Sequence, residues 1–303
     1  MKIATTTGDL SAYLADRSIG APVPFLRDIG FRYLDLSFYN VIYPGSPWIS
    51  QGDLWKKEVE DCMKKAEECG VVFCQSHAPD GEHFQEGEAR DRFFLAVERT
   101  IEACGMLKIP HTVIHGGVTN DLQKKRDFYL RFAEKSEQCS VDMLIENSSE
   151  KWIPAGSCFC SGEEMMAFLE ASGIPRLHAV WDTGHANCEG RDQYHDILAL
   201  GSELRALHIA DNYGMQDSHV MPLVGTVNFD NVMRGIREIS YQGAFTFEAG
   251  NTLRHQSDWP HYRNDVKPED RLADPPLSIQ LRQLSVMRAV GEWMVTEYGY
   301  TAE

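Results

Sequence analysis

The stretch HAVWDTGHA, residues 178–186, begins as a buried β-strand and ends in a carboxylate and an imidazole, Asp182 and His185. An apolar run of this length suits a strand covered on both faces. Such a strand has no reason to finish in two polar side chains three residues apart unless its end opens onto a site that uses them.

The same pattern recurs along the chain. Strand-like runs occur at 2–7 (KIATTT), 32–38 (RYLDLSF), 71–77 (VVFCQSH), 111–116 (HTVIHG), 143–147 (MLIEN), 178–184 (HAVWDTG), 206–211 (ALHIAD) and 244–249 (AFTFEA). Between most of them apolar residues repeat at three- and four-residue spacing, as in LWKKEVEDCMKKAEECG and FDNVMRGIREISYQG, and several of these segments stop at glycine. A last helical segment, LSIQLRQLSVMRAVGEWMVTEY, follows the eighth run. Eight strands alternating with helices, with no GxGxxG or Walker loop after any strand, predict the α/β class and a (β/α)8 TIM barrel. The whole chain, 1–303, reads as one domain with long βα loops at 39–54, 78–88 and 250–275. All three follow strands and so belong to the catalytic face, where their Trp, Tyr and His content suits lids.

Composition narrows the function. Acidic residues outnumber basic ones 45 to 29, for a net charge of −16, and no basic arm or stripe invites nucleic acid. No run approaches the roughly 20 apolar residues of a membrane span, and MKIATTTGDL lacks the blocks of a signal peptide, so a soluble cytoplasmic protein is expected. Eight cysteines lie mostly within the periodic segments, as buried reduced thiols would, and Cys158 and Cys160 form a C-x-C pair without the second pair of a zinc-thiolate site. Nothing in the sequence identifies an interface, although a homo-oligomer is compatible with it.

In a parallel barrel every strand presents its C-terminal end to one face. Strand three ends at His77, strand four at His115, strand five at Glu146, strand six at Asp182 and His185, strand seven at His208 and Asp211, and strand eight at Glu248. Carboxylates gathered in a low-dielectric mouth need a cation. Glu146, Asp182, His208 and Glu248 make a set of three carboxylates and one histidine, predicted to hold one divalent metal; the oxygen-rich set suits Mn, Mg or Co, with Zn compatible. His111 and His178 stand at strand starts and are expected to be structural, and His195, in a helix, is expected at the surface or in packing. His83, His255 and His261 lie in the long loops and are expected to be solvated. Arg254 and Arg263 are the loop cations placed to meet a phosphate.

At these residues the chain resembles the xylose isomerase-like TIM barrel superfamily, and within it the sugar phosphate isomerase/epimerase group that includes ketose 3-epimerases. The likeness is densest from LIEN through WDTGHA, LHIADN and FTFEA. The resemblance implies that Glu146 and Glu248 bind the metal and act as catalytic acid and base, that Asp182 and His208 complete the metal site, and that His185 contacts substrate oxygens. The expected activity is that of a divalent-metal-dependent sugar isomerase or epimerase, moving a proton through a metal-stabilised enediolate of a small-molecule sugar. His77, His115 and His219 would bind hydroxyls, and Trp48 or Trp152 would stack on the sugar.

Two departures matter. Ketose 3-epimerases carry a second glutamate where this chain has Trp152, and an arginine in a loop that here reads NYGMQDSHVMPLVG, so the substrate need not be a free ketohexose. A lyase acting through the same enediolate is one alternative. Another is a trinuclear-zinc AP endonuclease-like phosphoesterase, because nine residues of ligand type are present: His77, His115, Glu146, Asp182, His185, His208, Asp217, His219 and Glu248.

Overall fold

The computed structural model describes residues 1–255 and 266–303. His261 and Arg263, with the centre of the 250–275 loop, lie outside the described residues. Eight parallel strands form the predicted barrel: β1 (Ile3–Thr6), β2 (Tyr33–Ser37), β3 (Val72–His77), β4 (His111–Val113), β5 (Asp142–Glu146), β6 (Leu177–Asp182), β7 (Leu204–His208) and β8 (Phe245–Phe247). Neighbours in sequence are neighbours in space, and β1 pairs with β8. Closure between β7 and β8 rests on two backbone bonds just beyond β7, Ile209 N to Thr246 O at 2.8 Å and Glu248 N to Ile209 O at 3.1 Å. The second is donated by Glu248 itself, so closing the ring also fixes that residue beside the end of β7.

Ten α-helices surround the strands among the described residues: α1 (Gly8–Ser11), α2 (Val23–Asp28), α3 (Leu54–Cys69), α4 (Glu88–Leu107), α5 (Leu122–Cys139), α6 (Gly162–Ser172), α7 (Thr183–Cys188), α8 (Gln193–Leu200), α9 (Phe229–Glu238) and α10 (Leu277–Glu297). The long ones follow the predicted periodicity. Ser161 and Glu164 form a capping box that starts α6, and α3 and α6 end at left-handed glycines, Gly70 and Gly173. The sequence pattern did not anticipate α1, α2 or α7, which have at most six residues each, too few to display a helical period.

Alternation along the strands explains where the site sits. Val113, Leu144, Val180 and Ala206 form a small, fully buried apolar cluster separate from the larger core. Two residues further along β5, β6 and β7, on the same face by the two-residue period, come Glu146, Asp182 and His208. The apolar cluster is thus the floor beneath the polar ends. Beside it runs a buried polar chain: Gln75 Nε2 donates to Asp35 Oδ2 at 3.0 Å, and Thr246 Oγ1 donates to Gln75 Oε1 at 2.9 Å. Residues of the opposite parity, such as Ile145, Trp181, Leu207 and Phe247, join the main core with the apolar residues of the helices.

Several strands stop short of the expected runs. β6 stops at Asp182, whose side chain caps α7, β4 stops at Val113 and leaves His115 in the loop that follows, and β7 and β8 stop at His208 and Phe247, so that Asp211 and Glu248 lie just beyond them. Trp48, placed on the substrate by the sequence reading, belongs instead to the core. It is 1% exposed, its Nε1 donates to Glu58 Oε2 at 2.8 Å, and its ring packs on Phe38 and Trp55.

Removing the floor should loosen the barrel. Leu144→Ala is expected to cost about 2–5 kcal/mol in denaturant unfolding, the usual range for a fully buried leucine. A loss under about 1 kcal/mol would show that the cluster contributes little to stability.

Candidate metal centre

The segment DTGH folds around Asp182. Its backbone N–H donates to Asn147 Oδ1 at 2.7 Å and Asn147 Nδ2 donates to its carbonyl at 2.9 Å, so the end of β6 is pinned to the residue after β5. Asp182 Oδ1 accepts from His185 N at 2.7 Å and starts α7. Asp182 Oδ2 is buried and has no hydrogen-bond partner. That orphan oxygen, in a side chain of zero exposure, is what a missing cation would satisfy.

Around it the four predicted ligands come together. Glu146, Asp182, His208 and Glu248 each offer one ligand atom, and these atoms all lie within 4.8 Å of one another. His208 Nδ1 stands 2.7 Å from Glu146 Oε1 and 3.2 Å from Glu248 Oε2, while its Nε2 lies 3.5 Å from Asp35 Oδ2. The imidazole thus turns Nδ1 to the cluster, while its buried Nε2 faces Asp35 without a hydrogen bond.

Two more groups adjoin this one. His77, His115 and Glu146 form the first; His185, Asp217 and His219 form the second. His77 Nδ1 donates to the Ala78 carbonyl at 2.8 Å, which leaves Nε2 facing Glu146 Oε2 at 3.8 Å. His185 and His219 likewise donate Nδ1–H to the carbonyls of Asn147 and Glu248, at 2.8 and 2.6 Å. Their Nε2 atoms converge on Asp217 Oδ2, at 3.2 and 2.7 Å. His219 adopts φ +47°, a left-handed conformation unfavourable for a residue with a Cβ. Asp211 stays out of the ligand groups: it accepts the N–H groups of Gly225 and Val227, bracing the loop that carries Asp217 and His219.

The carboxylates raise the pKa of the imidazoles among them. Burial disfavours charge on His208, but Glu248 and Glu146 outweigh it and hold the imidazole well above its usual pKa. Burial opposes charge on His185 and His219 in the same way, and is overcome by Asp182 and Asp217 for the first and by Asp217 for the second. Burial pulls His115 down, yet bonds to Asp80 and Glu146 carry it up to about 9. Glu146 would be raised by burial, but His208, His115 and His77 bring it well below the carboxylate range. Asp182 is pushed up to about 6, chiefly by burial.

A cavity of about 450 Å³ opens above the ligands, lined among others by Tyr39, His115, Glu146, Trp152, His185 and Asp217. Trp152 is 43% exposed and meets the His185 ring edge-on at 5.5 Å, so of the two predicted stacking tryptophans it is the one on the cavity. His83, expected in solvent, is 9% exposed: its ring packs on Phe93 and Phe128 and its Nε2 bonds the His115 carbonyl at 2.9 Å. His195 is exposed beside Asp192, while His178 pairs with Glu203 at the start of β6. Sequence reasoning missed Asn147, Asp35 and Lys125. Asp35 lies inside β2 and Asn147 directly follows β5, at the end of LIEN, whereas Lys125 lies on α5, away from every strand end.

The family model described as xylose isomerase-like TIM barrel matches residues 23–267, and this chain belongs to that family. Among curated relatives, fructoselysine 3-epimerase of Escherichia coli O157:H7 is 27% identical over 141 residues, 46% of this chain and 47% of its own length. Ketose 3-epimerase of Arthrobacter globiformis is 33% identical over 90 residues, 29% of each chain. The chain thus spans about half, or less, of the length of these relatives. Among solved structures, L-ribulose 3-epimerase superposes with a TM-score of 0.71 at 15% identity, covering 98% of this chain and 96% of its own. The 3-keto-D-glucoside 4-epimerase YcjR of E. coli gives 0.66 at 15% identity, covering 95% and 99%. At such identities the superpositions establish the shared barrel. Among the described residues no helix is long and apolar enough to cross a membrane.

Because the imidazole pKa values are raised, these groups hold protons at neutral pH in the metal-free protein, and a metal must displace them. Affinity for Mn should therefore rise with pH, by at least tenfold from about pH 6 to about pH 8. Calorimetry in buffers of different ionisation enthalpy should register proton release. Affinity that is flat with pH, with no protons released, would contradict the cluster's role.

Proposed function

From its place in the xylose isomerase-like TIM barrel family, we propose that this protein is a divalent-metal-dependent sugar isomerase or epimerase. The observation that carries the reading is the four-ligand group with the orphan Asp182 Oδ2 at its centre. Glu146, Asp182, His208 and Glu248 would hold the ion, with Mn, Mg or Co preferred by the oxygen-rich set and Zn compatible. When bound, the ion polarises the substrate carbonyl and spreads the charge that develops on its oxygen, which acidifies the adjoining C–H.

The chain's own residues do the proton work. Glu146 and Glu248 approach His208 Nδ1 from two different strands, β5 and the end of β8, and so flank the space between them. Glu146 lines the cavity with only 4% of its side chain exposed, whereas Glu248 retains 25%. One removes the proton α to the carbonyl and the other returns it. Return to the opposite face inverts the carbon; return to the neighbouring carbon interconverts ketose and aldose. His185, fixed by Asn147 and Asp217, stabilises the enediolate oxygen. His77, His115 and His219 bind hydroxyls, and Trp152 covers the sugar's apolar face. The curated relatives named as 3-epimerases support inversion as the outcome. The protein would work as a soluble cytoplasmic enzyme.

A second reading is favoured by the other two ligand groups. With His77, His115 and Glu146 on one side and His185, Asp217 and His219 on the other, the mouth has donors for three ions, as a trinuclear phosphoesterase acting on abasic DNA requires.

Two measurements separate these. In heavy water with candidate ketoses, the sugar reading expects deuterium at the carbon beside the carbonyl. Glu248→Gln should slow that exchange by about 10²–10⁴-fold while leaving the circular dichroism of the protein unchanged. No exchange with any sugar at full metal loading would defeat it. Metal analysis returning one ion per chain supports the sugar enzyme; three zinc ions, with cleavage of abasic DNA, would establish the second reading in its place.

A further inference from the structure

One wall of the cavity is made by the turn Gly116-Gly117-Val118 and by Lys125, four residues into α5. Lys125 is 3% exposed. Its ammonium donates to the carbonyls of Gly117 and Ser157, at 2.8 and 2.9 Å, and lies 5.5 Å from the centre of the Phe159 ring. An ammonium has three N–H groups, and among the described residues the third finds no acceptor and no carboxylate pairs with the charge. Burial pulls its pKa down to about 8. Among the described residues it is the one lysine or arginine on this cavity.

The same turn also has free donors. Among the described residues the backbone N–H groups of Gly116, Gly117 and Val118 have no protein acceptor. Both glycines are required by close approach: a Cβ on Gly116 would stand 2.8 Å from Tyr129 Oη. One on Gly117, where φ is +70°, would stand 2.5 Å from His83 Cγ. The backbone is therefore held tight against aromatic walls with its donors unspent. A run of free N–H groups through such a turn makes a concave site for an anion. A brace between the 117 and 157 loops needs only hydrogen-bond donors, and a buried charge that no carboxylate pairs, with the Cys158 thiol as its ionisable neighbour, is a costly way to supply them.

We propose that Lys125 and the Gly116-Gly117-Val118 turn bind an anionic group, a carboxylate or a phosphate, carried by the sugar whose carbonyl end reacts between Glu146 and Glu248. The assignment of a sugar rests on the function proposed above; the anion site does not. It makes the substrate a sugar acid or sugar phosphate.

The test uses the wild-type protein and Lys125→Met. Metal-free protein is titrated with inorganic phosphate and with acetate while NMR follows the Lys125 side-chain signal. Saturating anion should raise the titration midpoint of the ammonium, and Lys125→Met should weaken the tighter-binding anion by at least about tenfold. Tighter phosphate identifies a sugar phosphate, tighter acetate a sugar acid. A Lys125 signal indifferent to both anions in the wild-type protein overturns the proposal, whether or not the variant folds. With metal-loaded enzyme, D-fructose 6-phosphate or 2-keto-D-gluconate should show a KM about tenfold or more below that of D-fructose, and the variant should erase this margin. A brace would instead lower kcat for all three and leave the margin intact. If Lys125 responds to anions while no sugar exchanges deuterium, the sugar reading fails and the anion site stands.

Discussion

Three carboxylates cannot share a dry pocket without positive charge, and the mouth of this barrel is organised around that requirement. Glu146, Asp182 and Glu248 arrive from three different strands with one imidazole, His208, among them. In water their mutual repulsion would be screened; at the end of a barrel it is not. The carboxylates raise the pKa of His208, His185 and His219, whose protons offset the charge, and the proposed divalent ion would do so more compactly. Even so, Asp182 keeps one oxygen unpartnered, so protons alone do not complete the site.

The surrounding structure serves to hold these groups in one orientation. The floor of Val113, Leu144, Val180 and Ala206 sets their height, since each ligand follows a floor residue by two positions on β5, β6 and β7. The Asn147 amide locks β5 to β6, the Glu248 N–H closes β7 to β8, and carbonyl acceptors fix the tautomers of His77, His185 and His219. Each imidazole then presents Nε2 where a ligand or a substrate oxygen needs it.

Loops decide what the site receives. Asp211 braces the loop that brings Asp217 and His219 over the mouth, and Trp152 stands at its edge. The end near Asp217 and the end bearing Lys125 give one cavity two electrostatic characters, as the proposed sugar acid or sugar phosphate would require.

Period-two alternation and strand ends made much of this legible before any fold was drawn. LIEN, HAVWDTGHA, LHIADN and FTFEA place Glu146, Asp182, His208 and Glu248 at comparable positions on consecutive strands, and a parallel barrel brings such positions together whatever the loops do. Other residues required the packed chain. Trp48, expected on the substrate, and His83, expected in solvent, are both buried because neighbouring helices and rings cover them. Lys125 reads as one more charge on an amphipathic helix, and only the way α5 leans on the 117 and 157 loops turns it inward. Local periodicity specifies which side of its own element a residue takes; what lies against that side is set by elements remote in sequence, and for loops and helix ends no short-range pattern encodes it.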